Sequence, residues 1–532
     1  MTVKSNPMLS PQELLKGEST EAQQPEFMAF YDILEQRDGG RKIKINYYKL
    51  INLLKHMGYR RYDIGKQSFM VRVQDNVVEE VAEKDIVDRF EDYINQFPEN
   101  LPDGVLKVAI LNKIYGGVST YFSKHILQRL TEDEPINFSN HTRDAAYFYY
   151  QNGYVKVTRA GAELLPYSRL EKKIWKNQIL NRDFKPLADS DWDQGTFTRF
   201  VKNISNNWKQ RPDGAVNIPD KGRYEAFKTI IGYLLHGYFE GKLKAIVFTD
   251  SRISEDPSGR TGKTLIFKAM GHMLNASKHA STFTELNGKD FDVSDRFKYQ
   301  ELGIDTKLVH LNDVKRHFPF EELFNDITEG IKRQRKNESP AIVYAKMGIS
   351  TNLTIRIHGD SAKDRSVEFE MADYYSATVS PEKEFGEWFF RDWSKEQWHQ
   401  FDNFMLHCVQ CYLQDGLRSP KAINLNVRKL KEETCKEFIV WMEDRNIKHN
   451  DEFDKKTTYE WFMRDHTTHG FESWLKQRIF TNWLKLYAEF HEDYSGYKER
   501  RSNGRDFIRY QKHTRSAGEE QQLSLTESIG SE

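Results

Sequence analysis

The sequence predicts an α/β protein in three blocks: a mixed α/β block, a second block built on a sheet and a glycine-rich loop, and a helical block ending in a basic hairpin. Three observations predict it. Short apolar runs bounded by polar turns alternate with helical periodicity through the first two blocks. The run Ala245, Ile246, Val247, Phe248 leads through DPSGRTGKT into helical spacing at Leu265, Ile266, Ala269 and Met270. The segments GEWFFRDWSKEQWHQFDNFML and FESWLKQRIFTNWLKLYAEF read as amphipathic helices whose aromatics pack a core rather than box a cofactor.

Bulk properties bound the answer. The chain has 532 residues, enough for about three or four domains, and with 38% hydrophobic and 13% aromatic residues it can bury real cores. No apolar run reaches the length of about 18 residues that spans a bilayer. The opening MTVKSNPMLSPQELLKGEST lacks the apolar centre of a signal peptide. Three cysteines supply no disulfide framework and suit a reducing compartment, so a cytoplasmic location, in a bacterial host, is expected. Lys+Arg and Asp+Glu are equal at 79 each; any nucleic-acid contact must therefore be local.

The first block is expected over 26–190, after a loose tail at 1–25. NYYKLINLLKHMGY reads as a helix, SFMVRVQDNVVEEV as strand, Asp75-Asn76 turn and strand, and DIVDRFEDYINQF as a helix with Ile86, Phe90, Ile94 and Phe97 on one face. YFYYQNGYVKVT carries Asn152-Gly153 between two β-rich runs, a hairpin signal. No nucleophile or metal spacing stands out here, and an accessory domain is expected. A linker at 191–222 leads to the second block, 223–381, where RYEAFKTIIGYLLHGYF reads as an amphipathic helix. The third block is expected over 382–515, with an acidic, disordered tail at 516–532. His407, Cys408 and Cys411 in FMLHCVQCYLQDG invite a zinc reading, but the surrounding apolar spacing favours a buried helix ending near Gly416.

The glycine-rich loop carries the chemistry. Strand, loop, Lys-Thr and helix is the order of a phosphate-binding loop. Backbone N–H groups of Gly259, Arg260, Thr261, Gly262, Lys263 and Thr264 would face the phosphates. Lys263 would reach the outer phosphates, and the Thr264 hydroxyl would hold magnesium. Pro257 stands where the strict pattern has glycine, leaving Gly259 to give the loop its freedom.

Such a loop needs an acid on a neighbouring strand. TKLVHLNDV makes a β run ending in Asn312-Asp313, placing Asp313 to hold magnesium or polarise a water. Further on, 331–344 folds back as a hairpin around 337–340 and crowds Lys332, Arg333, Arg335 and Lys336 together. That cluster suits a phosphate backbone; on charge pattern alone it is equally a solvated face. AKMGISTN ends a strand at Asn352, and Lys363 and Arg365 precede the run SVEFEM. At the C-terminal side, KERRSNGRDFIRYQKHTR makes a basic hairpin whose Arg500, Arg501 and Arg505 would touch DNA, the alternative being a basic surface ribbon.

With ISEDPSGRTGKTLIFKAMG, ELGIDTKLVHLNDV, NDITEG, STNLTI and EFEMADYYS in order, the chain resembles the superfamily 3 helicases of viruses, phages and mobile elements, especially the helicase-like domain of phage primase-polymerase and primase-helicase proteins. The resemblance covers about 224–401. It implies an AAA+-like P-loop ATPase core and a C-terminal helical, winged-helix-like region. It implies ATP and Mg²⁺ as cofactors, Asn312-Asp313 as the paired acids, Asn352 as the sensor asparagine and Arg365 as an arginine acting in a neighbouring subunit. One position departs: the family has two acids where this chain has Asn312 and Asp313. Losing a pre-organised catalytic group costs ~10²–10³ in rate, so binding is expected more firmly than fast turnover.

The expected function is an ATP-dependent DNA helicase or translocase in replication of a phage or mobile element. Its expected partners are single-stranded or forked DNA, further copies of itself in a ring, most simply a hexamer, and a separate primase or polymerase; no membrane is expected. Two alternatives stay open: a nucleotide-gated, weakly hydrolysing DNA-binding or loader ATPase, and an AAA+ machine acting on protein.

Overall fold

The computed structural model describes residues 27–512 apart from 38–39, 65–66, 132–137, 139–140, 240–242, 253–258, 276–281, 304, 337–338, 354, 356, 358, 446, 448–450 and 492. Both expected tails, Pro257 and the centre of the 331–344 hairpin lie outside the described residues. The chain forms two compact units, one of 1–139 with 167–176, the other of 140–166 with 177–532. They divide the chain elsewhere than the expected boundary at 190.

In the first unit, Asn46 caps the helix Tyr47–His56 by accepting from the N–H groups of Tyr48 and Lys49. The strands Tyr59–Ile64, Gln67–Gln74 and Val77–Glu80 form an antiparallel meander, extended in parallel by Ile174–Trp175. Its turn is at Asp75-Asn76, both at positive φ, as a two-residue hairpin loop requires. The helix Glu83–Asn95 buries Ile86, Phe90 and Ile94 completely.

The second unit is built on five parallel strands. In spatial order they are Phe283–Asn287, Leu308–Asn312, Lys346–Ser350, Ala245–Asp250 and Ser366–Met371. Burial on both faces explains the continuous apolar runs: every residue of Ala245–Asp250 and Lys346–Ser350 is buried. The helix Lys263–Leu274 lays Phe267 flat on His310, ring centroids 3.5 Å apart. The helix Lys221–Leu235 stacks Phe227 on Phe369 at 4.3 Å.

Two local readings change. The Lys221–Leu235 helix is not amphipathic: all but Glu225 are buried from Arg223 to Leu235, because the helix Lys395–Asp415 covers its other side. A Cβ on Gly232 would come within 2.1 Å of the Cys408 carbonyl oxygen, so the two backbones meet there. Cys408 and Cys411 are free and buried in that second helix, which ends at Gly416. The hairpin near residue 152 exists, but Tyr150 pairs with Gly153, so its turn residues are Gln151 and Asn152. Gly153 is needed for another reason. It has φ 145, and a Cβ would meet the Leu165 carbonyl oxygen of the third strand at 2.5 Å.

The expected linker contains a helix, Thr196–Ile204, embedded in the core of the second unit. Phe197 and Phe200 join an aromatic cluster with Phe389, Trp393, Phe401 and Phe404. Each such ring contributes roughly 1.5–3 kcal/mol when fully buried.

At its C-terminal end this unit carries a separate core. The helices Lys436–Glu443, Lys455–Asp465 and Gln477–Phe490 pack beside a three-stranded antiparallel sheet. In that sheet Arg505–Lys512 lies between Glu452–Asp454 and Tyr494–Ser502. The ribbon turns at Asn503-Gly504, both at positive φ.

Candidate functional site

In a parallel sheet, side chains with work to do gather at the carboxyl ends of the strands. Here two strand ends and the loop that follows Asp250 converge on one cavity of ≈ 520 Å³. Gly259, Arg260, Thr261, Gly262, Lys263 and Thr264 form one wall, and Asn312, Asp313, Ser350, Thr351 and Asn352 form another. Trp388, Phe389 and Pro381 complete it with an apolar rim.

The loop is held by the sequence in two ways. Gly262 starts the helix at φ 100, and a Cβ there would come within 2.7 Å of the Phe200 ring. Gly259 has φ 63 and lies against Asn352, and Arg260 between them also takes positive φ. Left-handed residues leading into a helix N-terminus are an arrangement that favours anions.

Lys263 is buried. Its ammonium donates to Asp250 at the end of the preceding strand, to the Asn352 side-chain oxygen at 2.8 Å and to Thr261 Oγ1 at 3.2 Å. Thr261 also donates to Asp250. Burial pushes the Lys263 ammonium below the ordinary lysine range, and the Asp250 carboxylate pulls it back up. Thr264 is exposed on the cavity wall one residue on. Asp313 takes positive φ just beyond its strand and pairs with Lys289 at 2.8 Å. Asn312 donates to Glu285 at 3.2 Å and accepts from Ser350 at 3.1 Å.

The oxygen atoms of Thr264, Asp313 and Asn312 on one cavity are the donor types a magnesium ion takes. That ion characteristically uses one or two protein oxygens and leaves the rest to water and phosphate. Among the described residues no group of three or more His, Cys, Asp and Glu side chains could hold a metal by itself.

The structure therefore brings together Gly259, Arg260, Thr261, Gly262, Lys263, Thr264, Asn312, Asp313 and Asn352. It does not bring Arg365 to them. Arg365 precedes the strand Ser366–Met371, and its carbonyl accepts from Ala245 N at the start of the neighbouring strand. It thus lies a strand's length from the cavity, ~20 Å at ~3.3 Å per residue. There its guanidinium donates to the Ser361 carbonyl and lies over Phe324.

The basic cluster splits. Ile331–Arg333 pairs antiparallel with Ala341–Val343, so the hairpin forms. Arg333 donates to the Leu302 carbonyl, and Arg335 to those of Gln300 and Leu302. Lys332 and Lys336 are exposed. On the C-terminal ribbon, Arg500 and Arg509 both grip Glu452, while Arg501 is 77% exposed with Asp506 at 3.8 Å. Arg505, next to the turn, is exposed.

Sequence reasoning passed over Asp250, Glu285 and Phe200. Asp250 had a signal, as the last residue of the apolar run before the loop. Glu285 and Phe200 had none, because their partners are remote in sequence.

No family model and no curated protein matches the chain. Among solved structures, its neighbours include the apo NrS-1 C-terminal region, with TM-score 0.35 and 12% identity over 87% of this chain and 99% of that one. A second structure of that region has TM-score 0.36 at 11% identity, covering 87% and 98%. The JCV helicase follows at TM-score 0.23 and 11% identity, covering 41% of this chain and 53% of that one. These likenesses are loose. No helix among the described residues is long and apolar enough to cross a membrane.

Proposed function

We propose that the chain is a magnesium-dependent ATPase that translocates on DNA as a superfamily 3, AAA+-like helicase. The observation that carries the reading is the single cavity shared by the 259–264 loop, Asn312, Asp313 and Asn352, which come from segments far apart in sequence. The loop N–H groups and Lys263 would bind the triphosphate. Asp313 and Thr264 would hold magnesium, which supplies charge neutralisation on the phosphates. Trp388, Phe389 and Pro381 offer the base an apolar shelf. Lys332 and Lys336 on the hairpin, with Arg501 and Arg505 on the ribbon, present exposed charge for a phosphate backbone. Arg365 fits a ring assembly, since only another copy could use it near a phosphate.

A second reading is favoured by Asn312, which brings no negative charge to the position beside Asp313: a nucleotide-gated DNA-binding protein with slow turnover. Steady-state ATP hydrolysis by the full chain, with and without single-stranded DNA, separates the two. DNA-stimulated turnover supports the helicase reading. ATP-dependent DNA binding with little turnover supports the second. Absence of magnesium-dependent nucleotide binding overturns both.

A further inference from the structure

The acid missing at position 312 has a neighbour. Glu285 lies mid-strand in Phe283–Asn287, opposite His310 in the parallel register, and Asn287 lies opposite Asn312. Glu285 therefore shares a sheet face with His310 and Asn312. One of its carboxylate oxygens accepts from Asn312 Nδ2 at 3.2 Å, and the other meets His310 Nδ1 at 3.0 Å. Ser350 Oγ closes the group, 2.9 Å from His310 Nε2 and 3.1 Å from Asn312 Oδ1. His310 is fully buried against Phe267, so this side of the group is fixed. Glu285 itself is exposed to solvent, is not among the residues lining the cavity, and reaches that wall through Asn312.

A carboxylate has only acceptors to offer. Beside it, the Asn312 amide has one favourable orientation, with Nδ2 toward Glu285 and Oδ1 toward Ser350, on a residue that lines the cavity. Donation to a charged acceptor also polarises the amide and makes Oδ1 a stronger acceptor. We propose that Glu285 is the positioning residue of this site: it fixes the Asn312 amide and, by accepting from Nδ2, raises the partial negative charge on the Asn312 oxygen, in place of the full charge an acid at 312 would carry. The inference rests on the ATPase reading and names the device by which that site works without a second strand-end acid.

The proposal reverses a simple expectation. An acid at 312 should restore activity if nothing else had changed. With Glu285 3.2 Å away, it would instead set two carboxylates side by side, and one of them would resist ionisation. The experiment is a reciprocal exchange in the full chain: wild type, Glu285→Gln, Asn312→Asp and the double variant, with Lys263→Ala as the inactive control. Each is measured for kcat, KM for ATP·Mg²⁺ and thermal melting. Glu285→Gln should lower kcat by about 10–100-fold, the range for groups that orient a ligand from behind, with KM within about threefold. Asn312→Asp should also lower kcat. The double variant should recover to within about threefold of wild type, because the glutamine amide can now donate to the new carboxylate. A merely structural role would move the melting temperature without this reciprocal rescue. Wild-type kcat in Glu285→Gln, a gain in Asn312→Asp alone, or a double variant no better than the weaker single variant overturns the proposal while the ATPase reading stands. No turnover in any variant, wild type included, overturns the hydrolytic reading and the proposal together.

Discussion

The cavity and the C-terminal ribbon both concentrate charge, but they hold it differently. At the cavity, Lys263 is buried and bonded to Asp250, Thr261 and Asn352, each from a different segment. On the ribbon, Arg501 and Arg505 are exposed beside a two-residue turn, and Arg500 is held by Glu452 and lies over Phe507. A group that must meet a phosphate at a fixed distance is immobilised by bonds it already makes. Charges that track a flexible backbone need only reach solvent, where their contribution is set by salt. The difference teaches which side chains a substitution can remove without disturbing neighbours.

The sharpest way to break the comparison is Lys263→Ala. It removes the buried ammonium, so magnesium-dependent ATP binding should be lost and turnover should fall by ~10²–10³ or more. Unchanged binding in a calorimetric titration would mean that the bonded cluster is only structural. Gly262→Ala comes next. A left-handed residue with a side chain costs roughly 1–2 kcal/mol, and here the added methyl also strikes Phe200. Nucleotide affinity and melting temperature should both drop, and wild-type affinity would show that the loop reshapes freely.

On the exposed side, the double variant of Lys332→Ala and Lys336→Ala should leave basal hydrolysis intact. Its salt dependence of single-strand binding should flatten by about 0.7 log units per log unit of salt for each phosphate that is no longer neutralised. Including Arg333 and Arg335 would confuse the test, since both tie the hairpin to the carbonyls of Gln300 and Leu302. The smallest effect is expected for Arg500→Ala. Arg509 still engages Glu452, so DNA affinity should change by no more than about twofold, the scale of an exposed ion pair. A drop larger than that of Arg501→Ala in a filter-binding assay would place Arg500 itself on the DNA.

Much of the site was legible because it is local. The apolar run 245–248, the Lys-Thr that opens a helix, and the strand ends at Asn312 and Asn352 each occupy one continuous stretch. Periodicity failed where burial came from both sides. Lys221–Leu235 reads as amphipathic from its own sequence, but the Lys395–Asp415 helix buries its second face. A hairpin signal located the bend near 152 but not its register, which the third strand fixes through Gly153. Glu285 carried no signal in the sequence, because only strand order places it beside Asn312. The basic run 332–336 read as one cluster, since sequence does not reveal which arginines already have partners.

The contact between Phe200 and Gly262 has a practical consequence for dissecting the chain. The 259–264 loop is backed by a helix that a motif-based boundary would discard. Thr196–Ile204 supplies Phe200 beneath the loop glycine and stacks that ring on Tyr375 at 5.5 Å. Its last carbonyl, at Ile204, accepts from Ala372 N at 2.8 Å, just past the edge strand of the sheet. A recombinant fragment begun at residue 223, where the motif-bearing block starts in the sequence, would lose the ring that packs against Gly262. Fragment libraries aimed at the smallest nucleotide-binding piece should show a sharp cut-off in soluble yield and affinity when the N-terminal truncation passes Phe200, while every motif residue is still present.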